Sequence, residues 1–187
     1  MADVARRDRT SSNPADMFRS LAVILVPILL LGALLTVRLD DYPVEPVDVR
    51  PVLTVARDEA PWPVLAPEQL PADWVPTRVT WTPQGRPGLN GEPSDRNRWV
   101  VGYLDPSQTY LAVEQADGPA APFVADVTRE GRPEATTTVG DQEWQQHVSA
   151  DGRTRSLVLV ADEVTTVVSG DVSYDELAAF AATLSAG

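Results

Sequence analysis

The chain has 187 residues, 43% of them hydrophobic, and a formal net charge of −12. This length accommodates one compact domain with appendages but not two full domains. Cysteine is absent, which excludes disulfides, thiolate metal sites, iron–sulfur clusters and a cysteine-linked lipid anchor. His147 is the only histidine, so one chain cannot form a zinc site from two or three histidines, and we expect no cofactor.

The first element is an uncharged apolar run from Ser20 to Val37. As a helix, its 18 residues would extend about 27 Å, close to the roughly 30 Å hydrocarbon core of a bilayer. Transmembrane helices tolerate an internal proline and glycine. The sequence therefore predicts a membrane-spanning helix over residues 20–37. The membrane-spanning residues include Leu21, Val26, Pro27, Leu31 and Leu35.

The run allows two other interpretations. A cleaved signal peptide is disfavoured because the run is long and no A-x-A-like cleavage site follows it before Arg38. A buried helix of a soluble core is disfavoured because no polar face interrupts the run.

Charge indicates the orientation of the predicted membrane helix. Within about fifteen residues of the run, four arginines precede it and two follow it. The positive-inside rule then places residues 1–19, expected to be disordered, in the cytoplasm and the C-terminal domain outside the membrane. Residues 39–187 hold 10 Arg against 24 acidic residues, a charge of −14. This charge disfavours nucleic acid and anionic lipid headgroups as partners of the domain.

A proline-rich segment, residues 38–76, follows the apolar run. Prolines at this density predict an extended stalk that leads into the domain, and not a regular helix. A recognition site for a proline-binding module is the alternative, but no P-x-x-P motif has a basic neighbour. Trp62 and Trp74 are expected to mark where the extended chain begins to pack on the domain.

The domain predicted over residues 77–187 begins with strand signals. A short strand, Val79–Trp81, precedes a Gly- and Pro-rich loop from Thr82 to Asn97 that has no periodicity. Strands Trp99–Leu104 and Thr109–Gln115 then flank a turn in which Pro106 favours type I geometry. The loop is the candidate contact surface. Its candidate contact residues are Arg86, Leu89, Asn90 and Arg96.

The second half of the domain shows three more strand patterns. Residues 122–129 fit a short helix or an edge segment, and the sequence does not separate the two. Gln142–Ser149, Arg155–Ala161 and Val164–Ser169 predict a meander of three antiparallel strands. Alternation in the first of these places Trp144 on the buried side and His147 on the solvent face.

The last element is a helix with a capping box, Ser173 at the N-cap and Glu176 three residues later. Leu177, Phe180, Ala181 and Leu184 recur at helical spacing and form an apolar stripe. We therefore expect an α+β fold, with an N-terminal transmembrane helix and a small antiparallel sheet that the C-terminal helix crosses on one face.

Read in order, several segments resemble domain-of-unknown-function family 4245 of high-G+C Gram-positive bacteria. They are an apolar span after an arginine-rich tail, LPADW (70–74), WVVGYLDPSQTY (99–110), VGDQEW (139–144) and VVSGDVSYDELAAFAATL (167–184). The resemblance implies a single-pass membrane protein of the cell envelope. It brings no activity and no catalytic residues to this chain.

Three functional classes follow. A non-catalytic envelope module that binds a protein or glycan partner, or assists other envelope machinery, is the first, because no motif encodes a reaction. A carrier of an apolar or lipid ligand is the alternative, and a cavity of unbroken apolar lining between sheet and helix would favour it.

A hydrolase is the third class. His147 with Ser149 or Ser156 could supply a base and a nucleophile, but no G-x-S-x-G motif accompanies them. A glycosidase-like carboxylate pair could be drawn from the aspartates, yet those aspartates fall at turn or cap positions that favour Asp for structural reasons. We therefore expect that the protein is not an enzyme.

Overall fold

A computed structural model describes residues 14–39, 45–88 and 91–186 of the chain. The chain divides into two compact units, Met1–Pro43 and Val44–Gly187. The first contains helix α1 (Pro14–Leu39), whose interior includes Pro27. Among the described residues, no helix combines the length and apolar character needed to cross a membrane. The large apolar side chains of α1 between Met17 and Leu31 are solvent-exposed.

The second unit is built on a seven-stranded antiparallel sheet with the order β2-β3-β4-β8-β7-β6-β5. Its strands are β2 (Val75–Thr82), β3 (Arg98–Leu104), β4 (Tyr110–Ala116), β5 (Arg132–Val139), β6 (Gln142–Val148), β7 (Arg155–Val160) and β8 (Thr165–Gly170). The helices are α2 (Arg50–Glu59), α3 (Ala120–Val127) and α4 (Tyr174–Ala181). A separate pair joins β1 (Ala66–Pro67) to β9 (Leu184–Ser185). The predicted α+β class and antiparallel sheet are confirmed.

Strand alternation gives the sheet two faces with different composition. The core face carries large apolar side chains that α2 and α4 cover. Its strand residues include Trp99, Val101, Leu111, Val113, Leu157 and Val168. The opposite face, called here the α3 face, packs against Phe123 of α3 through Ala116, Val158 and Val167. The predicted packing of the C-terminal helix across one face is confirmed, because Leu177 and Phe180 lie in the core-face cluster.

The expectation of an extended stalk without regular helix is wrong for residues 50–59, which form α2. Proline restricts helices at interior positions, but Pro51 occupies the first turn, where its missing amide costs nothing. The next proline, Pro61, follows the C-cap residue Ala60. Packing on the domain also starts earlier than Trp62, since Ala56 is completely buried.

The two tryptophans of this segment pack as expected. Trp62 is buried and meets Trp81 edge to face, with ring centroids 6.0 Å apart. Trp74 stacks on Phe180 of α4, with centroids 5.3 Å apart.

The predicted hairpin is confirmed by β3 and β4. In its turn, the Gln108 amide donates to the Asp105 carbonyl at 2.9 Å, and the Thr109 amide donates to the Asp105 carboxylate at 2.8 Å. The predicted three-strand meander is confirmed by β6, β7 and β8. Of the two structures that the sequence allows for residues 122–129, the protein forms the short helix α3 there. Strand β5 extends the sheet beyond the prediction, and its largely exposed side chains gave no apolar alternation to detect.

The expected solvent exposure of His147 is wrong, because this side chain is buried. His147 lies on the α3 face, between Pro133 of β5 and Ser156 of β7. Its Nε2 atom is 3.4 Å from the Gln145 side-chain oxygen, whereas its Nδ1 is buried without a partner. The expectation treated one face of the sheet as open to water, but side chains of both faces are buried in this domain.

Two polar side chains fasten the segment before β1 to the sheet. The buried Gln115 accepts from the Leu65 amide at 2.7 Å and donates to Thr166 Oγ1 at 3.2 Å. Its amide nitrogen also lies 3.4 Å from the Pro63 carbonyl. The Trp99 indole donates to the Leu65 carbonyl at 2.9 Å. Both backbone polar groups of Leu65 are thereby satisfied by the sheet.

Gln115→Leu is expected to lower the free energy of unfolding by about 1–3 kcal/mol, because it leaves the amide of Leu65 without its partner. Urea denaturation followed by tryptophan fluorescence measures this change. Thr166→Val is the matched control, since it removes one Gln115 bond and leaves the Leu65 bond intact. Equal or higher stability of Gln115→Leu would contradict this account of the segment.

Candidate functional site

An open polar groove crosses the α3 face over strands β2, β3, β4 and β8. It consists of two hollows of about 520 Å³ and 460 Å³. Both hollows are lined by Arg78 and Arg98, so these two arginines lie where the hollows meet. The larger hollow continues toward α3 and the turn at Asp171, and the smaller one continues toward the loop that precedes β3.

Arg98 is held by two carboxylates. Its guanidinium donates to Glu114 of β4 at 2.6 Å and to Asp126 of α3 at 3.2 Å. It also lies over the Phe123 ring, 5.5 Å from the centroid. Burial lowers the pKa of Arg98, but these two carboxylates outweigh burial and raise it overall, so the group stays cationic. Arg98 thus ties α3 to the sheet.

Arg78 differs from Arg98 because no carboxylate neutralises it. It is half-buried, and among residues 45–88 and 91–186 no acidic side chain forms an ion pair with it. The Tyr110 hydroxyl lines the same hollow, close enough to Arg78 for this charge to affect its pKa. Burial raises the pKa of this hydroxyl, Arg78 lowers it and Glu114 raises it, with a net upward shift. Tyr110 therefore stays protonated and remains a hydrogen-bond donor at neutral pH.

Gly102 makes the position of Tyr110 possible. Arg78 pairs with Gly102 across β2 and β3, and Ala112 pairs with Gly102 across β3 and β4. The Tyr110 ring crosses diagonally over Gly102, so that a Cβ atom at this glycine would overlap the hydroxyl and the ring. A glycine inside a strand often marks such a close approach.

The far wall of the larger hollow is a chain of hydrogen bonds. Arg129 lies 3.4 Å from Thr154 Oγ1, and that hydroxyl donates to the Asp171 carboxylate at 2.6 Å. Short polar side chains complete the lining of the two hollows. They include Thr80, Thr82, Gln108, Thr109 and Ser169.

The four predicted contact residues fall in different places. Arg86 is exposed in a turn, where its amide donates to Pro83 and its carbonyl accepts from Ser94. Arg96 pairs with the neighbouring Asp95 at 2.7 Å, and this pair raises the pKa of Arg96. Leu89 and Asn90 lie outside the described residues. Neither Arg86 nor Arg96 lines the groove, although Gly88, Glu92, Pro93, Ser94 and Asp95 of the same loop do.

The predicted membrane-spanning residues belong to α1. Leu21, Val26 and Leu31 are exposed, and Pro27 lies inside the helix. Leu35 also belongs to α1, but the structure describes only its backbone.

A smaller cavity of about 270 Å³ lies beside α4. Its lining is largely apolar, through Leu70, Trp74, Leu111 and Phe180. Polar side chains of Asp105, Glu176 and Thr183 interrupt that lining. Its volume is slightly below the roughly 300 Å³ at which ligand pockets usually begin.

Sequence reasoning did not find the arginines of the groove. Two signals were present: an arginine at the start of the WVVGYL strand pattern, and Gly102 in its interior. Neither signal identifies Arg78. Its role depends on whether an acidic side chain of a neighbouring strand forms an ion pair with it, and the sequence alone does not show this.

Two comparisons with known proteins bear on this chain. A family model described as "Protein of unknown function (DUF4245)" matches residues 9–184. No curated protein matches the sequence.

Gly102→Ala is expected to displace the Tyr110 ring and to lower the free energy of unfolding by about 1 kcal/mol, through lost ring burial. In a Tyr110→Ala background the same substitution is expected to be neutral, because its cost comes from this one contact. Urea denaturation of the four proteins of this double-mutant cycle measures the coupling. Equal costs of Gly102→Ala in both backgrounds would exclude the contact as the cause.

Proposed function

The chain belongs to the DUF4245 family, and we propose that it is a non-catalytic binding module of the cell envelope, anchored in the membrane by the apolar run from Ser20 to Val37. In this proposal residues 1–19 are cytoplasmic and the domain lies outside the membrane. The domain binds an envelope protein or glycan through the groove on the α3 face. Membrane lipid contacts the helix alone.

The anchor is supported by the uncharged run from Ser20 to Val37 and by the arginines around it. The exposed apolar side chains of α1 also support it, since a helix in water rarely exposes apolar residues all around its axis.

The observation that carries the binding role is the half-buried, unneutralised Arg78 in an open groove. A half-buried arginine without an acidic partner keeps its positive charge available, and an anionic ligand group can form a charge-assisted hydrogen bond with it. Hydroxyl and amide side chains around it provide further hydrogen-bonding groups, whereas the acids of the groove near Arg98 are occupied in holding α3.

A carrier of an apolar ligand is the second candidate. The cavity beside α4, with its stacked Trp74 and Phe180, favours this function. It ranks second because its volume is small and its lining is interrupted by polar groups.

Protease treatment of wall-stripped cells tests the proposed location. A C-terminal tag on the full chain should be digested in intact cells, and N-terminal sequencing should find the original N-terminus. A Leu25→Arg and Leu29→Arg double variant is the control, which should leave the membrane fraction because two charges interrupt the apolar run. Protection of the wild-type tag until the membrane is permeabilised would contradict the orientation.

Photo-crosslinking tests the proposed contact surface. A crosslinkable residue at Thr80, inside the groove, should give an adduct in the envelope that Arg78→Glu abolishes. The same residue at Thr138, exposed on the edge strand β5, is the matched control and should give none. Equal adducts at both positions would exclude the groove as the contact surface.

A further inference from the structure

Of the three arginines that line the groove on the α3 face, only Arg98 forms ion pairs with described residues, and Arg129 is exposed at the far wall. Arg98 is already neutralised by Glu114 and Asp126, and Arg129 faces the Thr154–Asp171 pair at the far wall. Arg78 alone has a half-buried guanidinium without an ion pair among residues of the described groove. Its planar array of donors matches the two oxygens of a carboxylate or of a phosphodiester.

The charges around Arg78 limit the ligand to one negative charge near that residue. Glu114, Asp126 and Asp171 line the larger hollow, and Glu92 and Asp95 line the smaller one. These acids and the −14 charge of residues 39–187 repel a second charge on the same group. A monoester phosphate, with close to two charges at neutral pH, is therefore disfavoured relative to a monoanion.

The position of Arg78 indicates that the charged group lies within a chain. Arg78 lines both hollows, so a ligand held there can extend into each of them. Threonine and serine hydroxyls and the Gln108 amide along the two hollows can hydrogen-bond to hydroxyl groups of such a ligand.

We propose that the groove binds a hydroxyl-rich chain carrying a monoanionic oxyanion, clamped between the Arg78 guanidinium and the Tyr110 hydroxyl. Acidic sugars supply this chemistry as carboxylates, and polyol chains supply it as phosphodiesters. The inference rests on the proposed binding role of the same groove and names the chemical class of its ligand.

Calorimetric titration of the detergent-solubilised full chain tests the inference. The carboxylate probe is a galacturonate trimer, and the phosphodiester probe is glycerophosphoglycerol. At least one of them should bind, and its affinity should fall on the order of tenfold to a hundredfold in Arg78→Ala, because a charged hydrogen-bonded pair is lost. Maltotriose, which is neutral, and glycerol 3-phosphate, which approaches two charges, should both bind more weakly.

Two variants distinguish an effect of the Arg78 side chain from a general effect of net charge. Arg132→Ala removes an exposed arginine of β5, changes the net charge equally and should leave affinity unchanged. Arg78→Lys keeps the charge without the planar fork and should bind between wild type and Arg78→Ala. Circular dichroism confirms that each variant is folded.

Each outcome of the titration decides the inference. Preference for one probe identifies the source of the oxyanion. Binding of maltotriose as tight as that of the anionic probes, with no loss in Arg78→Ala, would overturn the anionic class while leaving the groove as a binding surface. Failure of both anionic probes to bind would also overturn it, and the crosslinking at Thr80 would still report separately on the proposed function.

Discussion

The alternation of side chains along β3 and β4 is the constraint on which the rest of the domain depends. The same strands place Trp99, Val101 and Val113 in the core and Arg98 and Glu114 on the opposite face. A slip of one residue in register would exchange the two sets. Core packing therefore fixes the groove geometry, because the buried tryptophan and valines cannot move to the polar face without a large loss of hydrophobic free energy.

The two arginines that line both hollows of the groove have different roles: Arg98 in structure and, in our proposal, Arg78 in recognition. Arg98 has a structural role. Its guanidinium joins β3 to β4 and α3 through ion pairs with Glu114 and Asp126, and it lies over the Phe123 ring. Among the described residues Arg78 has no acidic partner, and it lines the larger hollow together with Tyr110. Gly102 permits that arrangement by leaving room for the ring. A rigid sheet thus presents an unneutralised guanidinium in a domain of strongly acidic composition.

Patterns within a few consecutive residues predict individual turns, helices and strands. They do not predict which distant strands lie side by side in the sheet. Asp105 and Pro106 specify their turn within four residues, and Ser173 with Glu176 specifies the start of α4. Proline density does not predict α2, because Pro51 lies in the first turn of that helix, and no apolar alternation marks the exposed edge strand β5. The burial of His147 and the lack of an ion pair at Arg78 among the described residues depend on strand order, which local sequence patterns do not reveal.

Two-dimensional NMR of the arginine Nε–Hε groups, recorded on the full chain during titration with glycerophosphoglycerol and then with galacturonate trimer, tests the central claim most directly. With at least one of these ligands, the Arg78 signal, assigned from Arg78→Lys, should shift and saturate. The Arg98 signal should stay in place because Glu114 and Asp126 already hold that side chain. An unmoved Arg78 signal with both ligands, or shifts as large at the exposed Arg132, would contradict the account.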